Sequence, residues 1–150
     1  MTVVELMIVV IIISMLSLLA GSRFKVLTER SALRSARQQV ESALATARAS
    51  AIQKGRNSTF WVSGNRIGVR TVINDAGATT NTLAGIPLDS TLGVTIALAG
   101  GADTAIVFGP RGFATPRLAG VARFRLTKGS RTDSTCISII GQVIGQGCVQ

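Results

Sequence analysis

The sequence predicts an α+β domain in which one long N-terminal helix is followed by an antiparallel β-sheet. Residues 6–20 are apolar apart from two serines, and residues 24–52 contain neither proline nor glycine. After Gly55 the pattern changes to alternating apolar and polar residues with frequent turn signals. We expect the apolar half of the helix to protrude and the amphipathic half to pack on the sheet.

Composition narrows the class of protein further. The chain has 150 residues, enough for one domain, and 47% of them are hydrophobic, which excludes intrinsic disorder. Charged residues make up only 15%, against about 25% in an average soluble domain. Sixteen basic residues against seven acidic ones give a net charge of +9. The positions of the apolar and the basic residues therefore need separate explanations.

Residues 1–24 are predicted to be a transmembrane or filament-core segment. The 17 residues between Glu5 and Arg23 would form a helix about 26 Å long, near the lower limit for crossing a bilayer. A secretory signal peptide is the alternative, but no basic residue precedes the apolar run and no small-residue cleavage site follows it.

Residues 25–54 are predicted to be the amphipathic half of the same helix, ending at Gly55 as a C-cap. A domain of this size does not need so long a helix, so its front half must be buried in a membrane or in copies of itself. One face carries apolar residues at helical spacing: Leu33, Ala36, Val40, Leu44, Ala47 and Ala51.

Residues 55–150 are predicted to be a β-rich head. Residues 74–85 are polar and small, which favours a loop. The predicted strands cover residues 59–62, 66–72, 94–98, 105–108, 122–126 and 136–140.

The first twenty residues resemble the start of a mature type IV pilin, with a glutamate at position 5, a hydroxyl at Thr2 and an uninterrupted apolar helix. Segments 42–52, 106–114 and 136–143 resemble one branch of the type IV pilin and type II secretion pseudopilin superfamily. That branch comprises the H-type pseudopilins and the fimbrial T-type minor pilins.

The resemblance implies a structural subunit that polymerises into a helical, type IV pilus-like surface filament through bundled N-terminal helices. The alternatives are a minor subunit or pseudopilin of a type II secretion pseudopilus and a DNA-binding minor pilin of a DNA-uptake pilus. The implied partners are copies of the chain, other pilins and an inner-membrane assembly platform. The implied location is the bacterial inner membrane, followed by an extracellular filament or a periplasmic pseudopilus.

The resemblance assigns assembly roles to Met1, Thr2 and Glu5. A carboxylate inside an apolar bundle is costly unless it is paired, and the α-amino group of Met1 from a neighbouring subunit is the expected partner of Glu5. Thr2 is expected to contribute a hydrogen bond. Met1 is expected to be the processed, methylated N-terminus; the alternative is that it is the initiator of an unprocessed chain.

The family often has a helix-breaking proline near position 22, where this chain has Gly21 and Ser22. Together with Ser14 and Ser17, whose hydroxyls compete for backbone groups, these residues are candidates for melting of the helix in a filament. The alternative is a straight helix that tolerates the glycine.

The two cysteines, Cys136 and Cys148, are predicted to form a disulfide once the head has crossed the inner membrane, as pilins of the family commonly have a C-terminal disulfide loop. Zinc binding is disfavoured because the chain has no histidine.

The basic residues of the head are candidates for binding DNA or acidic surface polymers. The alternative is a solvated face that keeps the protein soluble. The DNA hypothesis is weakened because the family's DNA-binding arginines lie in the last turn, and residues 141–144 contain no basic residue. The candidates are Arg111, Arg117, Arg123, Arg125, Lys128 and Arg131.

The sequence does not favour an enzyme. It has no histidine to act as a base, and its four acidic residues after the helix are scattered singly: Asp75, Asp89, Asp103 and Asp133. We expect no catalytic residue, cofactor, metal or small-molecule substrate.

Overall fold

The computed structural model describes residues 2–99, 105–116, 122–138, 140 and 142–144. These residues form two helices and nine strands. The bounds are α1 Val3–Lys54, β1 Ser58–Ser63, β2 Arg66–Val72, β3 Thr79–Pro87, α2 Leu88–Leu92, β4 Thr95–Ala99, β5 Ala105–Phe108, β6 Ala114–Pro116, β7 Ala122–Lys128, β8 Arg131–Ile137 and β9 Val143–Ile144.

Helix α1 runs without interruption for 52 residues, which makes it about 78 Å long. It ends where predicted. Gly55 has the left-handed backbone angles φ 60° and ψ 25°, and its N–H donates to the carbonyls of Ala51 and Ile52. A glycine is favoured there because it has no Cβ to clash in this conformation.

The strands form two antiparallel sheets. The first sheet has the order β3-β2-β1-β5-β6, and the second has the order β4-β7-β8-β9. Phe60 from the first sheet and Phe124 from the second meet edge to face, with ring centroids 5.5 Å apart and an interplanar angle of 80°. This contact lies in the core and joins the inner faces of the two sheets.

The C-terminal half of α1 closes this core. Its buried face begins at residue 32, and five of its eight buried apolar residues are alanines, so that the helix backbone can approach both sheets closely. The eight residues are Ala32, Leu33, Ala36, Val40, Ala43, Leu44, Ala47 and Ala51.

Ion pairs fix the position of α1 along β8. Arg37 lies between Glu41 on its own helix, at 3.3 Å, and Asp133 on β8, at 3.5 Å. About two turns earlier in the helix, Glu29 lies 3.6 Å from Arg131 at the start of β8. The amphipathic half of the helix is therefore packed on the sheets and also paired with them.

Several details of the head differ from the sequence prediction, including helix α2 and strand β6, which were not predicted. The predicted loop over residues 74–85 is partly wrong, because Thr79–Pro87 forms strand β3 and pairs with β2. This strand lies at the edge of the first sheet, where backbone pairing suffices and an apolar side-chain pattern is not needed. The predicted strand over residues 136–140 begins earlier, at Arg131, and the strands divide into two sheets where one was expected.

Candidate assembly site and polyanion surface

The N-terminal turn of α1 is closed by a reciprocal pair of hydrogen bonds. The backbone N–H of Glu5 donates to the hydroxyl of Thr2 at 3.3 Å, and the backbone N–H of Thr2 donates to the Glu5 carboxylate at 3.4 Å. This arrangement is a capping box, which satisfies two donors that the first turn of a helix leaves without partners. In the single subunit, the Glu5 carboxylate is therefore bonded to its own helix.

The next four turns of α1 expose apolar side chains in every direction. Every residue from Val3 to Ser17 is exposed, and the exposed fraction of the large apolar residues ranges from 79% at Val3 to 45% at Val9. A continuous apolar surface of this kind is typical of a site that another apolar medium covers. Among the described residues, no helix combines the length and the hydropathy that a membrane crossing requires.

The hydroxyls of Ser14 and Ser17 donate to backbone carbonyls one turn earlier, to Val10 and Ile13, both at 2.8 Å. Bonds of this type compete with the helical ladder and often accompany bending. The backbone of α1 is nevertheless helical through Gly21 and Ser22 in the single subunit. Melting in an assembled filament stays a prediction.

Several predicted site residues lie outside the described residues: Met1, Arg117 and Cys148. Cys136 is described, and it is fully buried on β8. Its pairing with Cys148 therefore stays a prediction.

The described basic candidates have different roles. Lys128 donates from its ammonium group to the carbonyl of Leu92, and Arg131 pairs with Glu29 on α1, so both are engaged within the head. Arg111 is exposed in the turn between β5 and β6.

Arg123 and Arg125 lie on the outward face of β7, since Phe124 between them is buried in the core. Arg125 is opposite Ser134 of β8. Together with Thr132 and Asp133 these residues line an open pocket of about 410 Å³. The pair on β7 is the part of the predicted polyanion surface that shares one face.

A second basic surface was not predicted from the sequence. Trp61 lies on the outward face of the first sheet, over Gly68 and Gly85, and Arg66 and Arg70 flank it. The available signal was weak: a single tryptophan in the chain and one glycine, Gly68, inside a predicted strand, whereas Gly85 lay in the segment predicted to be a loop. Only the strand pairing, which places Trp61 opposite Gly68, brings these residues together.

The titration of Asp75 is perturbed by an ion pair. Arg56 donates a 2.6 Å hydrogen bond to Asp75, and this bond, aided by the positive charge, lowers the pKa of that carboxyl below its usual value of 3.8. The pair joins the chain just after α1 to the loop that follows β2. It does not involve the N-terminal turn that contains Glu5. Among the described residues, no group of three or more acidic or cysteine side chains is placed to hold a metal ion.

Comparisons with known proteins identify a family. The family model described as Type II transport protein GspH matches residues 36–142, from the packed half of α1 to the last hairpin. No curated protein matches at a significant level.

Two crystal structures of the type IV minor pilin FimU from Pseudomonas aeruginosa (strain PAO1) are similar to the chain. The structure in space group P21 has a TM-score of 0.63 at 18% identity, covering 81% of this chain and 92% of that one. The structure in space group P65 has a TM-score of 0.56 at 18% identity, covering 75% and 90%. At this identity, the likeness shows the fold: a long N-terminal helix packed on antiparallel sheets, as in type IV pilins.

Proposed function

Because the chain belongs to the type II transport protein GspH family, we propose that it is a minor pilin or pseudopilin, incorporated into a filament beside other pilin-type subunits. The resemblance to the pilin and pseudopilin superfamily that the sequence indicated is confirmed. The chain is a structural protein and not an enzyme, as this family membership implies. We further propose that the filament is the pseudopilus of a type II secretion system.

The observation that carries this proposal is the contrast within α1. The helix continues from a packed head into an apolar segment whose described side chains, residues 3–17, are all exposed. Such a segment is stable only in an apolar environment, either the inner membrane before assembly or a bundle of helices afterwards. This supports insertion into a filament by the N-terminal half of the helix.

A minor role fits better than the homopolymer that the sequence first suggested. From residue 24 onward the chain has fifteen basic and six acidic residues, and Arg23 and Glu5 cancel, so the whole net charge of +9 belongs to that part. Identical heads packed side by side would repel one another. Neighbours of different charge, supplied by other pilin-type subunits, would remove this repulsion.

Glu5 is the proposed contact in the bundle. Its carboxylate bonds to Thr2 in the single subunit, and on assembly it would pair with the α-amino group of a neighbour's Met1. The pair would offset the desolvation of both charges and fix the axial position of the subunit, since only one stagger aligns them. Thr2 would keep its hydroxyl bond to the helix. Methylation of Met1, helix melting near Gly21 and the Cys136–Cys148 disulfide belong to the same proposal.

Incorporation tests this assignment directly. The full chain is expressed in cells with its assembly system, as wild type, as Glu5→Ala and as Asp89→Ala. Asp89 is an exposed acid in α2 of the head and serves as the matched control. Glu5→Ala should remain in the membrane fraction but be lost from sheared or purified filaments, whereas Asp89→Ala should be incorporated normally.

The stoichiometry of the filament separates the two structural roles. Quantitative mass spectrometry of purified filaments should show this chain as a small fraction of the pilin-type subunits. A filament made mostly of this chain would contradict the minor role, and normal incorporation of Glu5→Ala would contradict the assembly mechanism.

A DNA-binding minor pilin is the second candidate, favoured by Arg123 and Arg125 on one face of β7. Non-specific DNA binding would be strongly salt-dependent. A gel-shift assay with duplex DNA at physiological salt, comparing wild type with Arg123→Gln/Arg125→Gln, tests it. No salt-dependent shift in the wild type would exclude this role.

A further inference from the structure

The single tryptophan of the chain lies outside the core and packs over two glycines. Trp61 is on β1 directly opposite Gly68 of β2. A Cβ atom at Gly68 would come within 2.4 Å of the indole, and one at Gly85 of β3 within 2.9 Å. Glycine inside a strand weakens the sheet and often marks a close approach of another group. Here both glycines make room for one indole on the outward face.

Two guanidinium groups flank this indole. The Cζ atom of Arg70 lies 5.3 Å from the ring centroid of Trp61, a cation–π distance. Arg66 donates to the carbonyl of Gly85 at 3.3 Å. Both arginines are exposed. We call this group of five residues the Trp61 surface: Trp61, Arg66, Gly68, Arg70 and Gly85.

The stacking orients Arg70 without using its hydrogen-bond donors. A guanidinium has five N–H donors in one plane, and a contact of the cation with a ring face leaves them available. Among the described residues, Arg70 makes no side-chain hydrogen bond or ion pair. The indole N–H likewise has no acceptor there, so stacking rather than hydrogen bonding holds the ring. The Trp61 surface therefore presents the N–H donors of the Arg70 guanidinium to solvent in a fixed orientation.

The strands that carry the Trp61 surface have charge of one sign. The five strands of the first sheet contain these two arginines and no acidic residue. A second copy of the chain, with the same excess of basic residues, would be repelled. The chemistry that fits is a carboxylate, which accepts two parallel N–H bonds from one guanidinium.

We propose that the Trp61 surface binds an acidic segment of a different pilin-type subunit in the same filament. Arg66 and Arg70 are four residues apart on one strand, about 13 Å, so the segment would present two carboxylates at a similar separation. This proposal rests on the proposed role as a minor subunit, in which the neighbours in the filament are subunits of another type and charge. It gives the basic head a defined partner.

Trp61 itself reports on binding, since it is the only tryptophan. The full chain in a mild non-ionic detergent is titrated with an oligomer of glutamate, and with an oligomer of glutamine of equal length as the uncharged control. The glutamate oligomer should change Trp61 emission saturably and with a salt-dependent midpoint, and the glutamine oligomer should not. No change with the glutamate oligomer would overturn the proposal.

Variants locate the binding. Arg70→Gln should weaken binding of the glutamate oligomer at least about tenfold, the loss expected for a charged hydrogen-bonding partner. The affinity of Arg70→Lys for the glutamate oligomer should lie between those of the wild type and Arg70→Gln, because lysine keeps the charge but lacks the planar guanidinium. Arg34→Gln, at an exposed arginine of α1, is the matched control and should bind as the wild type does. Equal binding by Arg70→Gln and wild type would contradict the proposal.

Arg66→Gln provides an independent variant should Arg70→Gln unfold, and thermal unfolding followed by circular dichroism checks both. A structural role alone, in which the indole merely covers the glycines, would leave binding unchanged in both variants while lowering the melting temperature. A duplex oligonucleotide that binds the Trp61 surface more tightly than the glutamate oligomer at the same salt would replace the acidic-segment proposal by a nucleic-acid one.

The experiments distinguish a failure of the proposed function from a failure of the proposed partner. If Glu5→Ala is incorporated into filaments normally while Arg70→Gln loses the glutamate oligomer, the assembly mechanism is wrong and the Trp61 surface stands. If Glu5→Ala is excluded from filaments and Arg70→Gln binds as the wild type does, the Trp61 surface is wrong and the assembly role stands.

Discussion

The two halves of α1 have the same backbone and opposite environments. Residues 3–17 expose Val, Ile, Leu and Met side chains on all sides, whereas from residue 32 onward one face of the helix is buried against two sheets. The exposed half is richer in large apolar residues than the buried half, which uses five alanines. Within one subunit, burial therefore follows shape and periodicity more closely than it follows hydrophobicity.

This difference separates stability from assembly. The packed half contributes to the free energy of folding of the head, because its side chains leave water when the head folds. The exposed half contributes no such free energy until another apolar medium covers it. Substitutions of one residue type in the two halves should therefore have different consequences.

The largest expected effect comes from two leucines of the same helix. Leu44 is 1% exposed and Leu16 is 62% exposed. Leu44→Ala should lower the free energy of unfolding of the head by about 2–5 kcal/mol, because it removes buried methyl groups and leaves a cavity. Leu16→Ala should change it by less than about 0.5 kcal/mol.

Urea unfolding of the full chain in non-ionic detergent, followed by the emission of Trp61, measures both values. Trp61 is on β1 of the head, so its signal reports on the part that α1 closes. If Leu16→Ala lowers the free energy of unfolding as much as Leu44→Ala does, the exposed half of α1 also contributes to the stability of the head.

The helix was the most predictable element because its signal is local. Periodicity, the absence of proline and glycine from residues 24–52, and Gly55 gave its extent and its end. Strand β3 was missed because its residues, TTNTLAGIP, are mostly small or polar, and an edge strand depends on backbone pairing with β2. The division into two sheets depends on pairings such as β1 with β5, distant in sequence, and no local pattern encodes them.

The candidate sites show the same limit. Thr2 and Glu5 are three residues apart, and their capping box could be expected from spacing alone. The alternation of Arg123 and Arg125 likewise gave a shared face. By contrast, Lys128 and Arg131 looked like surface charges, and their partners Leu92 and Glu29 come from other elements. The Trp61 surface needs three paired strands, so sequence spacing could not reveal it.

An effect of intermediate size is expected at the N-terminal end of α1. Thr2→Ala removes the hydroxyl that accepts from Glu5 N–H, at a cost of about 1 kcal/mol to the first turn. Amide hydrogen exchange at residues 4–6 should therefore become about fivefold faster, without change in the packed half. Thr46→Ala, which removes a hydroxyl bonded to the Ser42 carbonyl inside the packed half, is the control and should not affect the first turn. Equal exchange in both variants would show that the capping box does not stabilise this end.

The smallest effect is expected just beyond the other end of α1, where the Arg56–Asp75 pair joins the helix to the head. Asp75 is 95% exposed, so solvent weakens the interaction. Because its pKa in the folded state is below 3.8, the pair stabilises the fold above that pH, and this contribution is lost as the pH falls through the lowered value. Arg56→Gln should raise the pKa of Asp75 toward 3.8, measured by the carboxyl carbon shift of Asp75 in an NMR titration. An unchanged pKa in this variant would assign the shift to another cause.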